Sequence, residues 1–137
     1  MKILLIGGGG REHAIAKALY KSPKEPRLYC FSDLANPGIN SLVKKRRGEY
    51  TLGNVNDAKA VVEVASRTGA DFVFVGPEEP NFHGVPDRLE DEGIACIGAR
   101  RNVAELEMSK ASMRDLQWKY KIPGRLWYKK FKTFEEA

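Results

Sequence analysis

The sequence predicts a three-layer α/β domain built on a parallel sheet, and three observations carry that expectation. An apolar run, Lys2 to Ile6, passes directly into Gly7-Gly8-Gly9-Gly10 and then into residues at helical spacing. Asp71 to Val75 is a second short run, apolar on both faces, as strands are when crossover helices cover both sides of a sheet. The 137 residues fit one such domain, which takes roughly 100 to 200 residues, with no room for a second complete one.

Taken in order, Lys2–Ile6 is the first strand, the four glycines a loop, and Ala14, Ile15, Ala18 and Leu19 the apolar stripe of the first helix. Ser22-Pro23 and Pro26 break that helix, and Arg27–Phe31 supplies a second strand. Asn36-Pro37-Gly38 reads as a turn. Asn56 caps a helix carrying Ala58, Val61, Val62, Val64 and Ala65 on one face, which Gly69 terminates. Gly76-Pro77 ends the strand at Val75. Asp87–Glu92 is a helix end stopped by Gly93, and Ile94–Ile97 a further buried strand ending at Gly98. Beyond Arg101 the pattern is helical through Glu107 and again over Ser109–Tyr120, before Ile122-Pro123 and a strand-like Leu126–Phe131. Thr133 and Glu136 have capping-box spacing, which opens a helix, so the chain reads as part of a longer protein. A tail from Ser109 with few partners is expected to be mobile.

Hydrophobic residues make up 42% and charged residues 30%, which excludes a disordered or membrane-embedded chain. No apolar run approaches the roughly 20 residues a bilayer requires, and Met1 leads into a strand rather than a signal segment, so a cytoplasmic protein is expected. Cys30 and Cys96 lie apart in apolar segments, without CxxC spacing, and read as buried reduced thiols. The net charge of +5 raises the question of nucleic acid. Its densest cluster, Lys44-Lys45-Arg46-Arg47, has no interleaved aromatics on which bases would stack, and reads as a solvated loop.

Four glycines between a strand and a helix let the backbone approach an anion, and the helix N-terminus adds unpaired N–H groups and a positive dipole end. Gly8 and Gly10 are therefore candidate phosphate contacts. Arg11 suits bidentate phosphate binding, and its positive charge at a helix start calls for a compensating anion. The dinucleotide fingerprint needs a third glycine, where the two possible frames put Glu12 or His13; Asp33, at the end of the second strand, is the acid that would hold a ribose in that reading. Glu12 is as well suited to a first-turn acid as to a substrate contact. Glu78 follows a buried strand at the end where open α/β sheets bind ligands, and its carboxylate can accept from ribose hydroxyls. Asp87 caps a helix or contacts ligand. His83, without partners, reads as surface.

The run GGGGREHA, Gly7–Ala14, resembles the opening of the phosphoribosylamine-glycine ligase family. Asn36-Pro37-Gly38 is similar to its NPG turn, Gly76-Pro77-Glu78 to its GPE element, and Gly84 with Asp87 to its GxxD spacing. Leu106–Lys110 is similar to its LExSK segment, and Ile122-Pro123 to the IP turn that follows. The chain departs from the pattern at Glu79, Asn81 and Gly98-Ala99.

The resemblance implies a Rossmann-like domain over residues 1–106 that precedes an ATP-grasp domain, of which residues 107–137 are the truncated beginning. It implies that ATP with Mg²⁺ activates the glycine carboxylate, that 5-phosphoribosylamine attacks the resulting acyl phosphate, and that the metal ligands lie outside this chain. Gly8, Gly10, Arg11, Glu12, Asn36, Pro37, Gly38, Glu78 and Asp87 are then candidate contacts of the phosphoribosylamine, and Lys110 of the ATP phosphates. Trp118, Trp127 and Tyr128 would pack against the missing domains. The chain alone is expected to be inactive. Two other readings stand beside this one: a stand-alone NAD(P)-binding module and a non-catalytic phosphosugar-binding protein.

Overall fold

The computed structural model describes residues 1–136 and bears out the α/β expectation. A five-stranded, all-parallel sheet has the order β3-β2-β1-β4-β5, formed by β1 (Lys2–Ile6), β2 (Arg27–Ser32), β3 (Tyr50–Leu52), β4 (Phe72–Val75) and β5 (Cys96–Ile97). The central strand β1 pairs Ile6 with Phe31 on one side and with Val75 on the other. The helices α1 (Gly10–Lys21), α2 (Pro37–Lys45), α3 (Ala58–Thr68), α4 (Glu79–Phe82) and α5 (Val85–Asp91) lie between strands, and α6 (Arg101–Met108) and α7 (Lys110–Lys119) follow the sheet.

Alternation along the strands divides the core into two layers, because successive side chains point to opposite faces. On one face Leu4, Ile6, Tyr29, Phe31, Val73 and Val75 meet Val61, Val64 and Ala65 of α3 and Val85 and Leu89 of α5. On the other, Leu5, Leu28 and Cys30 meet Ala16 of α1 and Ile39 and Val43 of α2, with Phe74 packed alongside. Each fully buried Leu, Ile or Val contributes about 1.5 to 3 kcal/mol relative to exposure. Among the described residues no helix is long and apolar enough to cross a membrane.

Several local expectations are corrected. Asn36-Pro37-Gly38 opens α2 rather than forming a free-standing turn: Asn36 Oδ1 accepts from Ile39 N at 3.1 Å and Pro37 takes the first helical position, where its missing N–H costs nothing. The basic run is likewise not a solvated loop. Lys44 and Lys45 close α2, favourably for its dipole, and Arg46 packs over the Tyr20 ring and pairs with Glu25. The short strand β3 and the four-residue α4 were below what periodicity can register.

The cap of α3 is Asp57, not Asn56, with its carboxylate accepting from Lys59 N and Ala60 N, whereas Gly69 does terminate that helix, at φ +62°. In α1, Ala14 and Ala18 are exposed, and the inward stripe is Glu12, Ile15, Ala16 and Leu19. Cys30 is buried but Cys96 only half-buried. Leu126–Phe131 forms no strand, and Glu136 accepts from Lys132 N rather than capping a helix at Thr133. The helix foreseen after that box lies outside the described residues.

Candidate functional site

The strand order reverses direction between β1 and β4, one connection leaving β1 toward β2 and the other arriving at β4, so the crevice beyond their C-terminal ends is the switch point of the sheet. Gly7 leaves β1 at φ +103°, a conformation open to glycine, and a Cβ there would lie 2.7 Å from Pro77 Cγ. The Pro77 ring therefore packs directly against the backbone that leaves β1. Gly8 is equally confined, since a Cβ would reach Ser32 Oγ at 2.3 Å.

Glu12 forms the floor of the crevice. Helical spacing puts it on the buried face of α1, and it is 4% exposed. Its Oε2 accepts from Gly9 N at 2.8 Å, which ties down one loop amide, while Oε1 is buried without a partner. A Cβ on Gly76 would lie 2.6 Å from that oxygen, so the carboxylate fills the space between the residues that follow β1 and β4.

Above it, Arg11 and Glu78 span the crevice. Nη1 donates to Oε1 at 2.5 Å and Nη2 to Oε2 at 2.9 Å, a bidentate pair whose side chains are 68% and 39% exposed. The hydrogen bond from Arg11 holds the Glu78 carboxyl down at about 2. The Arg11 guanidinium is pushed up, first by its hydrogen bond and charge interaction with Glu78, with Glu12 and Glu107 adding smaller contributions.

Asn36 braces the loop from the β2 side. Its Nδ2 donates to Gly8 O at 2.8 Å, and Tyr50 Oη accepts from Asn36 N at 3.2 Å while donating to Leu34 O. Gly38 leaves room for the imidazole of His13, which a Cβ would strike at 2.3 Å, so α1 and α2 start side by side. The thiol of Cys30 donates to Gly7 O at 3.5 Å, and burial pushes its pKa up to about 12.

The structure thus brings together Gly8, Gly10, Arg11, Glu12, Asn36, Pro37, Gly38 and Glu78 at the C-terminal end of the sheet. Asp87 serves elsewhere: its Oδ2 accepts from Arg101 N at 2.9 Å, at the start of α6. Lys110 opens α7, where Ser109 Oγ accepts from Ser112 N, and lines a separate hollow with Arg114, Lys129 and Phe131. Asp33 is exposed just past β2. Sequence reasoning missed Ser32, Tyr50, Cys30 and Glu107 as parts of the surroundings. Of these, Ser32 alone had a visible signal, as a hydroxyl ending an otherwise apolar strand.

Among the described residues no group of three or more His, Cys, Asp or Glu side chains converges to hold a metal ion. The C-terminal stretch has a different character. No side chain of α7 is buried, and Trp127 and Phe134 are 78% and 92% exposed.

The chain resembles known proteins in sequence and in fold. The chain is 44% identical over 138 residues to the phosphoribosylamine–glycine ligase of Methanopyrus kandleri and 43% identical over 136 residues to that of Pyrococcus furiosus, alignments covering 100% and 99% of the chain. It spans only 30% and 29% of those relatives' lengths. Among solved structures, the biotin carboxylase domain of the Hydrogenobacter thermophilus 2-oxoglutarate carboxylase, in complex with MgADP and bicarbonate, superposes with a TM-score of 0.63 at 22% identity, over 89% of this chain and 28% of that one. Leucoanthocyanidin reductase from Vitis vinifera, a complex with NADPH, gives 0.52 at 16% identity over 68% of this chain and 33% of that one, a likeness of fold. Residues 1–107 match the profile of the phosphoribosylglycinamide synthetase N domain, and the chain belongs to that family.

Proposed function

We propose that this chain is the phosphoribosylamine-binding part of a phosphoribosylamine-glycine ligase of purine biosynthesis, a cytoplasmic ATP-dependent carbon–nitrogen ligase. The observation that carries the reading is the crevice itself, where an arginine and a carboxylate stand over a glycine loop at the switch point of the sheet. The amides of Gly10 and Arg11, at the N-terminus of α1, and the Arg11 guanidinium suit a phosphate; Glu78 and the free oxygen of Glu12 suit hydroxyl or amine donors. A phosphorylated sugar amine carries both kinds of group. Asn36, with Pro37 and Gly38 behind it, fixes the loop for that contact. Asp87, engaged with the start of α6, is given a positioning role for that helix in place of the substrate contact expected from its spacing.

Residues 1–106 form the binding domain in this reading, and residues 107–137 begin the ATP-grasp region. Lys110, at the start of α7 beside Arg114 and Lys129, provides a cationic hollow whose chemistry fits nucleotide phosphates. ATP, when bound, supplies the phosphoryl group that makes glycine reactive toward the amine, and Mg²⁺ would be held by phosphates and by residues outside this chain. The exposed Trp127 and Phe134 suit packing against those further parts.

The test is titration of the purified chain, followed by backbone amide resonances. Glycinamide ribonucleotide is expected to shift Gly8 to Glu12 and Gly76 to Glu78, and NAD⁺ to leave them unmoved. The reverse pattern, or ligase turnover by the chain alone, would overturn the proposal.

A further inference from the structure

The Arg11–Glu78 pair engages both charged side chains that the site would offer a ligand above its floor. Both terminal nitrogens of the guanidinium face the two carboxylate oxygens, so while the pair is closed each residue's bidentate face is taken by the other and an incoming molecule must compete for it. Charge around Arg11 is also lopsided. Glu78 touches it, and the charges of Glu12 and Glu107 add weakly in the same direction, so a lone anion meets carboxylates as well as the guanidinium. Beneath the pair, Glu12 Oε1 is buried in a residue only 4% exposed and meets no donor from the protein. Such an acceptor is costly to leave unpaired, and it marks the crevice as a place for a donor from outside.

We propose that Arg11 and Glu78 act as a selectivity latch, each standing in for one half of the ligand, so that the pair opens for a molecule offering an anion and hydroxyl or amine donors together. The latch rests on the phosphosugar reading above and specifies how that site chooses. An anion alone must take Arg11 from Glu78 and leave the carboxylate without its partner. A sugar alone must take Glu78 and leave the guanidinium unpaired. A phosphosugar satisfies both, and reaches the Glu12 oxygen as well. The exposure of the pair suits this role, because water and salt keep an exposed ion pair weak enough for a ligand to exchange.

Binding of inorganic phosphate and of ribose 5-phosphate to the purified chain, measured by amide resonance shifts at low ionic strength, tests the latch. Glu78→Gln releases Arg11 and should tighten inorganic phosphate about threefold or more while weakening ribose 5-phosphate. Glu79→Gln removes the same charge one residue away, from a side chain outside the pair, and should change phosphate binding by less than about twofold. Glu78→Ala checks that the effect follows loss of the pair rather than the new amide. Equal gains from the Glu78 and Glu79 variants would reduce the effect to net charge and overturn the latch, as would weaker phosphate binding by both Glu78 variants. If the unaltered chain binds inorganic phosphate but no ribose 5-phosphate, or neither, the phosphosugar reading itself falls and the latch with it.

Discussion

Oε1 of Glu12 lies 2.6 Å from where a Cβ on Gly76 would stand, so the buried carboxylate and the bare backbone at the end of β4 occupy one space between them. Gly76→Ala inserts a methyl group against a buried side chain that must give up its bond to Gly9 N to move aside, and overpacking of this kind costs about 1 to 3 kcal/mol. Urea unfolding of the variant should show that loss. A second change, Glu12→Ala, should recover part of it in the double variant, as coupled neighbours do.

Glu12→Ala alone leaves the Gly9 N–H without its acceptor in a half-buried loop. A loss of about 1 to 3 kcal/mol is expected by the same method. Glu12→Gln keeps an acceptor oxygen for Gly9 and should cost much less, so a large loss in Gln would mean the charge rather than the cap matters.

Asn36 works in two directions, accepting from Ile39 N and donating to Gly8 O. Asn36→Ala removes both and should cost about 1 to 2 kcal/mol. Asn36→Asp retains the helix cap but loses the donor, so it should keep most of the stability while shifting the amide resonance of Gly8's neighbours.

Glu78 is held at about 2 against an ordinary 4.5, chiefly by its hydrogen bond from Arg11. A carboxyl with a depressed native value stabilises the fold above the ordinary range, and that contribution fades as the pH falls from about 4.5 toward 2. Carboxyl carbon resonances should therefore place the Glu78 midpoint near 2, and Arg11→Gln should move it upward toward the ordinary value.

Burial raises the pKa of both thiols, that of Cys30 to about 12. The half-buried Cys96 should react first with an aromatic disulfide at pH 8, and Cys30, held against Gly7 O, only on unfolding. Prompt reaction of both would contradict the core assigned around β2.

Much of this was legible in the sequence, for reasons that differ by element. β1 and β4 are apolar at nearly every position, and Gly69 and Gly93 mark helix ends, so the frame of the sheet could be read directly. The glycine loop, Arg11 and Glu78 were legible as separate signals. Their meeting was not, because 67 residues separate them and only the pairing of β1 with β4 joins them. Glu12 illustrates the opposite case: it lies four residues before the buried Ala16 on the inward face of α1, but the stripe was read through Ala14, Ile15, Ala18 and Leu19, and an acid at a helix start is so easily explained by the dipole that burial was not anticipated. β3 escaped because three residues between a basic helix end and a glycine give no alternation to count.

The pairing of Ile6 with Val75 also works as a ruler. A slip of one residue between the two central strands would carry Glu78 about 3.3 Å along the sheet, beyond the grasp of Arg11. Substitutions in the strand interiors, far from any ligand atom, can therefore put the site out of alignment, and a molecule held by both banks of the crevice would oppose that sliding.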